Sequence, residues 1–322
     1  MTHLVAGIDV GGSKTLAAVA DGSGRIVGVG SAAGGNRQLV GAEGFRKALD
    51  ESVDAALATA GAARSELIAL HVGASGLDFP EDSEELRAAL GDDYRDAVVE
   101  NDALLGLYAG TTAGWGGVVV GGSGTNAAAV APDGTTLFVG GLGWHCGDSG
   151  GAAMLGVEAL RLAIRSWEER EPPTLLTDLL LTHTGADDMA AVFRSVATFA
   201  GPDSLDVAQL VARAARDGDA PCTALLEAHG RDMGLAVGTA LRRLGLSAMA
   251  PEVVGLGGMF PMCDGTRLLP AMELEVRRHA PDAVVRMLGT EPVVGAVVAA
   301  LRRTGVESES LADDVRRSWA DR

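Results

Sequence analysis

Residues 5–15, VAGIDVGGSKT, decide the fold. An apolar run leads into adjacent glycines, with an aspartate before them and a Lys-Thr pair after them, which is typical of a phosphate-binding turn. The P-loop pattern does not fit because Lys14 comes one position late, and the G-x-G-x-x-G pattern does not fit because Asp9 replaces its second glycine. Small and β-branched residues then continue to Ala20, and residues 21–24, DGSG, predict a turn. The glycines therefore join two strands and do not open a helix.

A second copy of this unit follows in the same chain. Residues 10–20, VGGSKTLAAVA, agree with residues 120–130, VGGSGTNAAAV, at seven of eleven positions. Residues 132–134 then predict a turn and residues 135–141 another strand. Two facing glycine turns predict a site for one polyphosphate, held by backbone N–H groups and hydroxyls. The hydroxyls expected to point inward are those of Ser13, Thr15, Ser123 and Thr125.

Bulk composition is typical of a water-soluble enzyme. A length of 322 residues favours two domains. The net charge of −17 disfavours nucleic acid and anionic membranes as partners, so an anionic ligand needs local backbone donors or a metal ion. The cysteines, at positions 146, 222 and 263, are too scattered to indicate disulfides or a zinc or iron–sulfur site. Since the first residues do not resemble a signal peptide, we expect a cytoplasmic protein.

The uncharged run at residues 103–132 is long enough to cross a bilayer. Eight of its thirty residues are glycine, and the run contains the second glycine turn. We therefore interpret it as a buried sheet with its preceding helix and not as a membrane span.

Periodicity along the chain predicts alternating helices and strands. Helices are expected at residues 42–60, 83–91, 150–166, 187–200, 205–216, 221–244 and 267–279 and from about 292, and strands at 67–76, 97–102 and 252–258. Hairpins followed by such alternation, twice, indicate an α/β fold. In α/β sheets ligands gather beyond the carboxyl ends of strands, and Asp102 lies at such an end.

Three motifs resemble those of a known superfamily. Residues 9–15, 121–126 and 255–258 are similar to the phosphate-1, phosphate-2 and adenosine motifs of the actin, sugar kinase and Hsp70 ATPases. The chain most resembles the N-acetylglucosamine kinase branch, which includes the BadF/BcrA-type ATPases, over nearly its whole length. The resemblance implies a duplicated actin-like (ribonuclease H-like) fold with two lobes around a central cleft, and a homodimer. Residues 1–113 with the C-terminal helix 292–322 are expected to form one lobe, and residues 114–291 the other.

The same resemblance implies ATP and Mg²⁺ as ligands and assigns roles to residues. Asp9 is expected to hold Mg²⁺, usually through water. Asp102 matches the catalytic aspartate that accepts the proton of the attacking sugar hydroxyl. Because Asp102 precedes a predicted helix, it also fits an N-cap, and the two roles are compatible. The residues implied to bind the nucleotide are Gly11, Gly12, Ser13, Lys14, Thr15, Ser123, Gly124, Thr125, Gly257 and Gly258.

Sugar contacts are expected from short polar side chains and one flat ring. The residues implied are Asn36, Ser75, Gly76, Asn101, Trp144, His145 and Asp148. Asp148 fits a helix N-cap equally well. N-Acetylglucosamine kinases usually read Gly-Gly-Trp-Gly and later Gly-Asp-Glu-Gly, whereas this chain has Leu142 for the Trp and Ser149 for the Glu.

These two departures put the acetyl group of the substrate in doubt. A free ammonium at C2 would suit an acidic protein, with Asp148 as its paired carboxylate. The sequence therefore favours phosphorylation of the 6-hydroxyl of D-glucosamine, giving glucosamine 6-phosphate. An N-acetylglucosamine kinase is the first alternative, and a non-catalytic, nucleotide-dependent sugar sensor is the second.

Overall fold

The structure is a computed structural model that describes residues 3–306, 308 and 310–322. Its strands are β1 (Leu4–Val10), β2 (Lys14–Asp21), β3 (Ile26–Ala33), β4 (Leu67–Ala74), β5 (Val98–Asn101), β6 (Gly116–Gly121), β7 (Thr125–Val130), β8 (Thr136–Phe138), β9 (Glu252–Leu256) and β10 (Val284–Met287). Its helices are α1 (Arg37–Ala60), α2 (Pro80–Leu90), α3 (Ala103–Gly110), α4 (Gly151–Trp167), α5 (Leu176–Thr184), α6 (Met189–Ala197), α7 (Ser204–Arg216), α8 (Ala220–Arg243), α9 (Met259–Met262), α10 (Leu268–His279), α11 (Val293–Arg303) and α12 (Leu311–Ala320).

The strands form two sheets with the same topology. The first has the order β3-β2-β1-β4-β5 and the second β8-β7-β6-β9-β10. In each sheet the first three strands form antiparallel pairs, and the last two join in parallel. The duplication seen in the two glycine turns therefore extends over five strands, and the prediction of a duplicated α/β fold is confirmed.

Two apolar helices lie between the sheets. α11 packs on β1, β2 and β4 of the first sheet and on α3, and α3 contacts β6, β7 and β9 of the second. The approach of the helices is close, because a Cβ added at Gly295 of α11 would overlap the carbonyl oxygen of Leu105. This contact surface between the sheets is buried, with Val297, Leu107 and Val118 almost inaccessible to water.

Most predicted elements are present, with shifted ends. α1 begins earlier than residue 42, but Gly41 has a non-helical backbone (φ 71°), so a regular helix does start where it was expected. The sequence did not indicate α5 or the short edge strand β10. The expected last helix is two helices, α11 and α12, of which α12 packs against α3 and β3. The lobe boundaries at residues 113/114 and 291/292 stay a prediction.

The uncharged run at residues 103–132 forms α3, β6 and β7. α3 has only eight residues, and the two strands pair with each other. Among the residues that the structure describes, there is no helix with the length and apolar character that a bilayer crossing requires.

Candidate active site

The carboxyl ends of β1, β4 and β5 meet at one edge of the first sheet. Ser75, just after β4, donates its backbone N–H to the carbonyl of Val10 at 3.0 Å. Asp102, just after β5, donates its N–H to the carbonyl of Ala74 at 3.3 Å. Parallel pairing of the three strands therefore places Asp9, Ser75 and Asp102 at one edge, although they are far apart in sequence.

Asp9 and Asp102 line the same cavity, which has a volume of about 250 Å³. The other residues that line it are Gly11, Ser13, Lys14, Ala103, Val120, Leu256 and Pro292. Val120 and Leu256 are paired at the ends of β6 and β9, in the second sheet. The cavity thus lies between the carboxyl edges of both sheets, next to the first glycine turn.

Burial shifts the pKa values of both carboxyl groups toward neutral pH. Burial, helped by the charges of Asp102 and Glu291 and opposed by Lys14, raises the pKa of Asp9 to about 7. Burial also raises the pKa of Asp102 to about 6. Two acids with such displaced pKa values in one cleft are typical of a functional site.

The donor set fits a magnesium ion that arrives with phosphate. Within the described part of the chain, no group of three or more histidine, cysteine or acidic side chains could hold a metal ion by itself. Mg²⁺ is commonly bound by one or two carboxylates together with water and substrate phosphates. Asp9, with Asp102 beside it, matches that pattern, and a bound cation would stabilise the charged form of Asp9.

The first glycine turn is closed by its own backbone and leaves Lys14 at the surface. Gly11 donates to the carbonyl of Lys14 at 3.0 Å. The Lys14 ammonium lies 3.3 Å from the carboxylate of Glu291, two residues before the start of α11. Thr15 is fully buried, close to Gly35, and its hydroxyl has no partner among the described residues. This hydroxyl does not line the cavity of Asp9 and Asp102, and its role in phosphate binding stays a prediction.

The second glycine turn contacts the adenosine motif. Gly257 has a left-handed backbone (φ 106°), and a Cβ there would overlap the carbonyl oxygen of Gly121. Only glycine allows this approach. Ser123 and Gly124 are exposed, as are Gly257 and Gly258. The structure therefore brings two of the three predicted nucleotide motifs together.

The predicted sugar residues on the first sheet also lie close to one another. Asn36 caps α1 by accepting a hydrogen bond from the N–H of Gln38. Its Oδ1 lies so close to Gly76 that a Cβ at that position would be 3.0 Å away. Ser75 donates its hydroxyl to the carbonyl of Val10 at 3.1 Å. This hydroxyl is therefore already engaged by the strand end.

Asn101, and not Asp102, caps α3. The Oδ1 of Asn101 accepts the N–H of Ala103 at 3.0 Å, whereas the Asp102 side chain makes no capping hydrogen bond. The prediction that the Asp102 side chain caps α3 is therefore wrong, although the N–H of Ala103 at the helix end still lowers the pKa of its carboxyl against the larger effect of burial. The Oδ1 of Asn101 also accepts the Nδ2 of Asn126 at 3.3 Å, which links the two sheets.

Asn126 is a candidate site residue that the sequence prediction missed. Its Oδ1 is buried and has no hydrogen-bond partner among the described residues. It lines a small cavity of about 20 Å³ with Asp148, Ser149 and Asp232. The sequence did contain a signal: the aligned position in the first copy is the apolar Leu16. A polar residue that replaces an apolar one within a repeat is a reason to examine it.

The loop before α4 holds the other predicted sugar residues. Asp148 accepts the N–H of Gly143 at 2.6 Å, and α4 begins after Gly150 with no side-chain cap. The alternative interpretation of Asp148 as a helix N-cap is therefore wrong; it closes its own loop. The rings of Trp144 and His145 pack edge to face, with 5.2 Å between their centroids. Both residues are exposed, and neither lines the cavity of Asp9 and Asp102.

Comparison with known proteins identifies the family. The sequence profile of the BadF/BadG/BcrA/BcrD ATPase family matches residues 6–300. This chain belongs to that family. It is also 26% identical over 263 residues to the N-acetylmuramic acid/N-acetylglucosamine kinase of Clostridium acetobutylicum, across 79% of this chain and 85% of the relative. The resemblance on which the sequence prediction rested is confirmed.

Solved structures agree on the fold. A candidate N-acetylglucosamine kinase from Chromobacterium violaceum superposes with a TM-score of 0.68 at 23% identity, covering 93% of this chain and 99% of the other. A ROK family glucokinase from Streptomyces griseus, in complex with glucose and AMPPNP, gives a TM-score of 0.54 at 21% identity over 92% and 98% of the chains. This chain therefore has the actin-like fold that the sequence predicted.

Proposed function

We propose that this member of the BadF/BadG/BcrA/BcrD ATPase family is an ATP-dependent sugar kinase. The observation that carries the proposal is the cavity shared by Asp9 and Asp102 between the carboxyl edges of both sheets. A glycine turn borders this cavity in the first sheet, and a second copy of the turn lies in the other sheet. Membership of an ATPase family supports nucleotide use, and the name of the matched clostridial relative supports a sugar as the acceptor.

Asp102 is the general base in this proposal. A base works best when its pKa lies near the working pH, and burial brings Asp102 to about 6. Its carboxylate is not used to cap α3, so it is available to accept the proton of a sugar hydroxyl. Asn101 caps the helix instead and fixes the position of the neighbouring Asp102.

The nucleotide phosphates are held by the two glycine turns. Ser13 and Lys14 contribute from the first turn, and Ser123 and Gly124 from the second. Asp9 holds Mg²⁺, which when bound neutralises developing charge on the transferred phosphoryl group. Lys14 exchanges its contact with Glu291 for the phosphates, since an exposed ion pair of this kind is worth little.

For the acceptor we propose an amino sugar, with D-glucosamine first and the 6-hydroxyl as its reacting group. Support comes from the small cavity next to Asn101, whose polar lining includes the carboxylates of Asp148 and Asp232 and the unpartnered oxygens of Asn126 and Ser149. Apolar side chains, among them Val119, Val139 and Met233, also line this cavity, but its two carboxylates favour a cationic substituent over an acetyl group. N-Acetylglucosamine is the second candidate, favoured by the name of the clostridial relative.

A rate comparison tests both levels of the proposal. ADP release by purified protein with MgATP is measured alone and with glucosamine, N-acetylglucosamine, N-acetylmuramic acid and glucose at equal subsaturating concentrations. We expect stimulation by sugar, largest with glucosamine. A larger rate with N-acetylglucosamine would overturn the substrate and leave the kinase standing. If no sugar raised ADP release, the kinase proposal itself would fail, and the nucleotide-dependent sensor would take its place.

A further inference from the structure

A second cavity lies at the far ends of the strands from Asp9 and Asp102. It has a volume of about 310 Å³, within the range of small-molecule sites. Its walls come from both sheets and from the helices between them. The lining residues are His71, Tyr108, Ala113, Gly114, Trp115, Val130, Ala131, Pro132, Gly134, Ala299, Arg302 and Arg303.

Strand direction separates this cavity, here called the hinge cavity, from the active-site cleft. Val130 ends β7 and pairs with Gly116 at the start of β6, whereas the cleft borders the other end of β6. Arg302 and Arg303 end α11, whose beginning lies beside the cleft. The hinge cavity and the cleft thus share no lining residue.

Two guanidinium groups line the hinge cavity and are held by backbone carbonyls. Arg302 donates to the carbonyl of Thr112 at 2.9 Å and lies against Gly114. Arg303 donates to the carbonyls of Leu70 and Asp96, each at 2.8 Å. Within residues 3–306, neither guanidinium forms an ion pair with a carboxylate. Backbone carbonyls position a guanidinium without neutralising it, so its charge remains available to a ligand.

The nearby carboxylates are already engaged. Glu100 accepts from the Nε2 side of His71 at 2.7 Å and from the Tyr108 hydroxyl at 3.4 Å. Glu252 lies 2.6 Å from Arg286 and accepts the N–H of Thr112. Neither of these carboxylates lines the hinge cavity. In a chain with a net charge of −17, the cavity is therefore locally positive.

Burial affects two of these groups. His71 is only 4% exposed, and its Nδ1, opposite the nitrogen that contacts Glu100, has no hydrogen-bond partner among the described residues. Burial also lowers the pKa of Arg302, which reflects the cost of keeping that charge away from water. An anion would offset this cost. The rings of Tyr108 and Trp115 offer flat apolar surface beside the charges.

We propose that the hinge cavity binds a small organic oxyanion, a phosphate or carboxylate attached to a ring. The guanidinium groups of Arg302 and Arg303 bind the oxyanion, for which their planar forks are well suited. Tyr108 and Trp115 pack against the ring. This site is separate from the proposed kinase reaction, so it stands or falls independently of that function.

Hydrogen exchange with defined probes tests the site. Phenyl phosphate and benzoate carry a ring with each type of oxyanion, and inorganic phosphate and acetate carry the oxyanion alone. We expect the ring-bearing probes to slow amide exchange in residues 108–116 and 130–135 at lower concentrations than the ringless ones. A preference between phenyl phosphate and benzoate identifies the type of oxyanion. Protection confined to the glycine turns at residues 11–15 and 121–125 would overturn the proposal.

Charge-neutralising variants sharpen the test. Arg302→Gln and Arg303→Gln are each expected to weaken binding of the preferred probe about tenfold or more, the usual value of a charge-assisted hydrogen bond. Arg243→Gln, at the exposed end of α8, makes the same charge change elsewhere and is expected to bind like the wild type. Arg303 is exposed, so its variant is expected to fold even if Arg302→Gln does not. Equal affinities for Arg303→Gln and Arg243→Gln would contradict the site.

Discussion

The two sheets share one topology, but the first carries the acidic residues of the cleft and the second does not. Asp9 in β1 aligns with Val119 in β6, which is 1% exposed and belongs to the core. Asp102 follows β5, and the equivalent residue after β10 is Leu288, which donates its N–H to the carbonyl of Gly255 as Asp102 does to Ala74. The backbone was duplicated, while the carboxylates are present in one copy.

The difference separates two requirements of such a site. A glycine turn binds phosphate through backbone N–H groups, so it can be repeated wherever the strands repeat. A buried carboxylate is costly, and two are enough for one metal ion and one proton transfer. The second sheet therefore keeps the turn and fills the remaining positions with core residues.

The largest expected effect follows from removing the carboxylate of Asp102. Asp102→Asn keeps the shape of the site but removes the proposed proton acceptor, so kcat is expected to fall by about 10² to 10⁴. The affinities for ATP and sugar are expected to change only a few fold. Steady-state ADP release and ligand titrations provide the measurement. Asp282→Asn, at an exposed position away from the cleft, is the control; near-wild-type turnover of Asp102→Asn would remove this residue from the mechanism.

Asp9→Asn tests the cost of the other carboxylate. Because the folded-state pKa of Asp9 is about 7, above the value of 3.8 for an unperturbed aspartate, the folded state binds the proton more tightly than the unfolded state. The protonated carboxyl of Asp9 therefore makes a contribution to stability that is fully present below about pH 4 and is lost as pH rises through about 7. Asn cannot ionise and does not show this loss.

At pH 8 without Mg²⁺, we therefore expect Asp9→Asn to be more stable than the wild type, by at most about 4 kcal/mol. Below pH 4 the difference should disappear. Urea unfolding at several pH values measures it, and MgATP is expected to stabilise the wild type more than the variant. A variant that is less stable than the wild type at pH 8 would show that the buried, ionised carboxylate of Asp9 does not destabilise the fold.

The sequence predicted the features of the fold and the site that depend on glycine positions and on strand ends. The two turns, the α/β alternation and the position of Asp102 follow from local composition and from the rule that ligands gather at carboxyl edges. The roles of capping residues were not predictable, because Asn101 and Asp102 are adjacent and both suit an N-cap. What decides between them is the residue at which the helical backbone begins, and Asp102 already has helical backbone angles. The hinge cavity was also out of reach, since it joins His71 with Arg302 across more than half the chain.

The comparison also applies to the proposed sugar site, for which Asp148 is the candidate carboxylate of the second half. If this carboxylate pairs with the ammonium of glucosamine, Asp148→Asn should lower the preference for glucosamine over glucose about tenfold. ATP affinity should be unchanged. The ratio of kcat/KM values for the two sugars is the measurement. Because Asp148 also accepts the N–H of Gly143, thermal unfolding of the variant must be compared with that of the wild type. An unchanged ratio in a stable variant would remove Asp148 from sugar selection.

The smallest expected effect separates the two threonines that occupy equivalent places after the glycine turns. Thr15 is fully buried with an unpartnered hydroxyl, whereas Thr125 is partly exposed. Thr15→Val removes a buried polar group of the same shape, so we expect the free energy of unfolding to rise by up to about 1 kcal/mol with ATP affinity unchanged. Thr125→Val is expected to weaken ATP binding several fold, because it removes a hydroxyl near the second turn. Urea unfolding and nucleotide titration of both variants decide this, and a loss of ATP affinity in Thr15→Val equal to that in Thr125→Val would mean that the two copies contribute their hydroxyls alike.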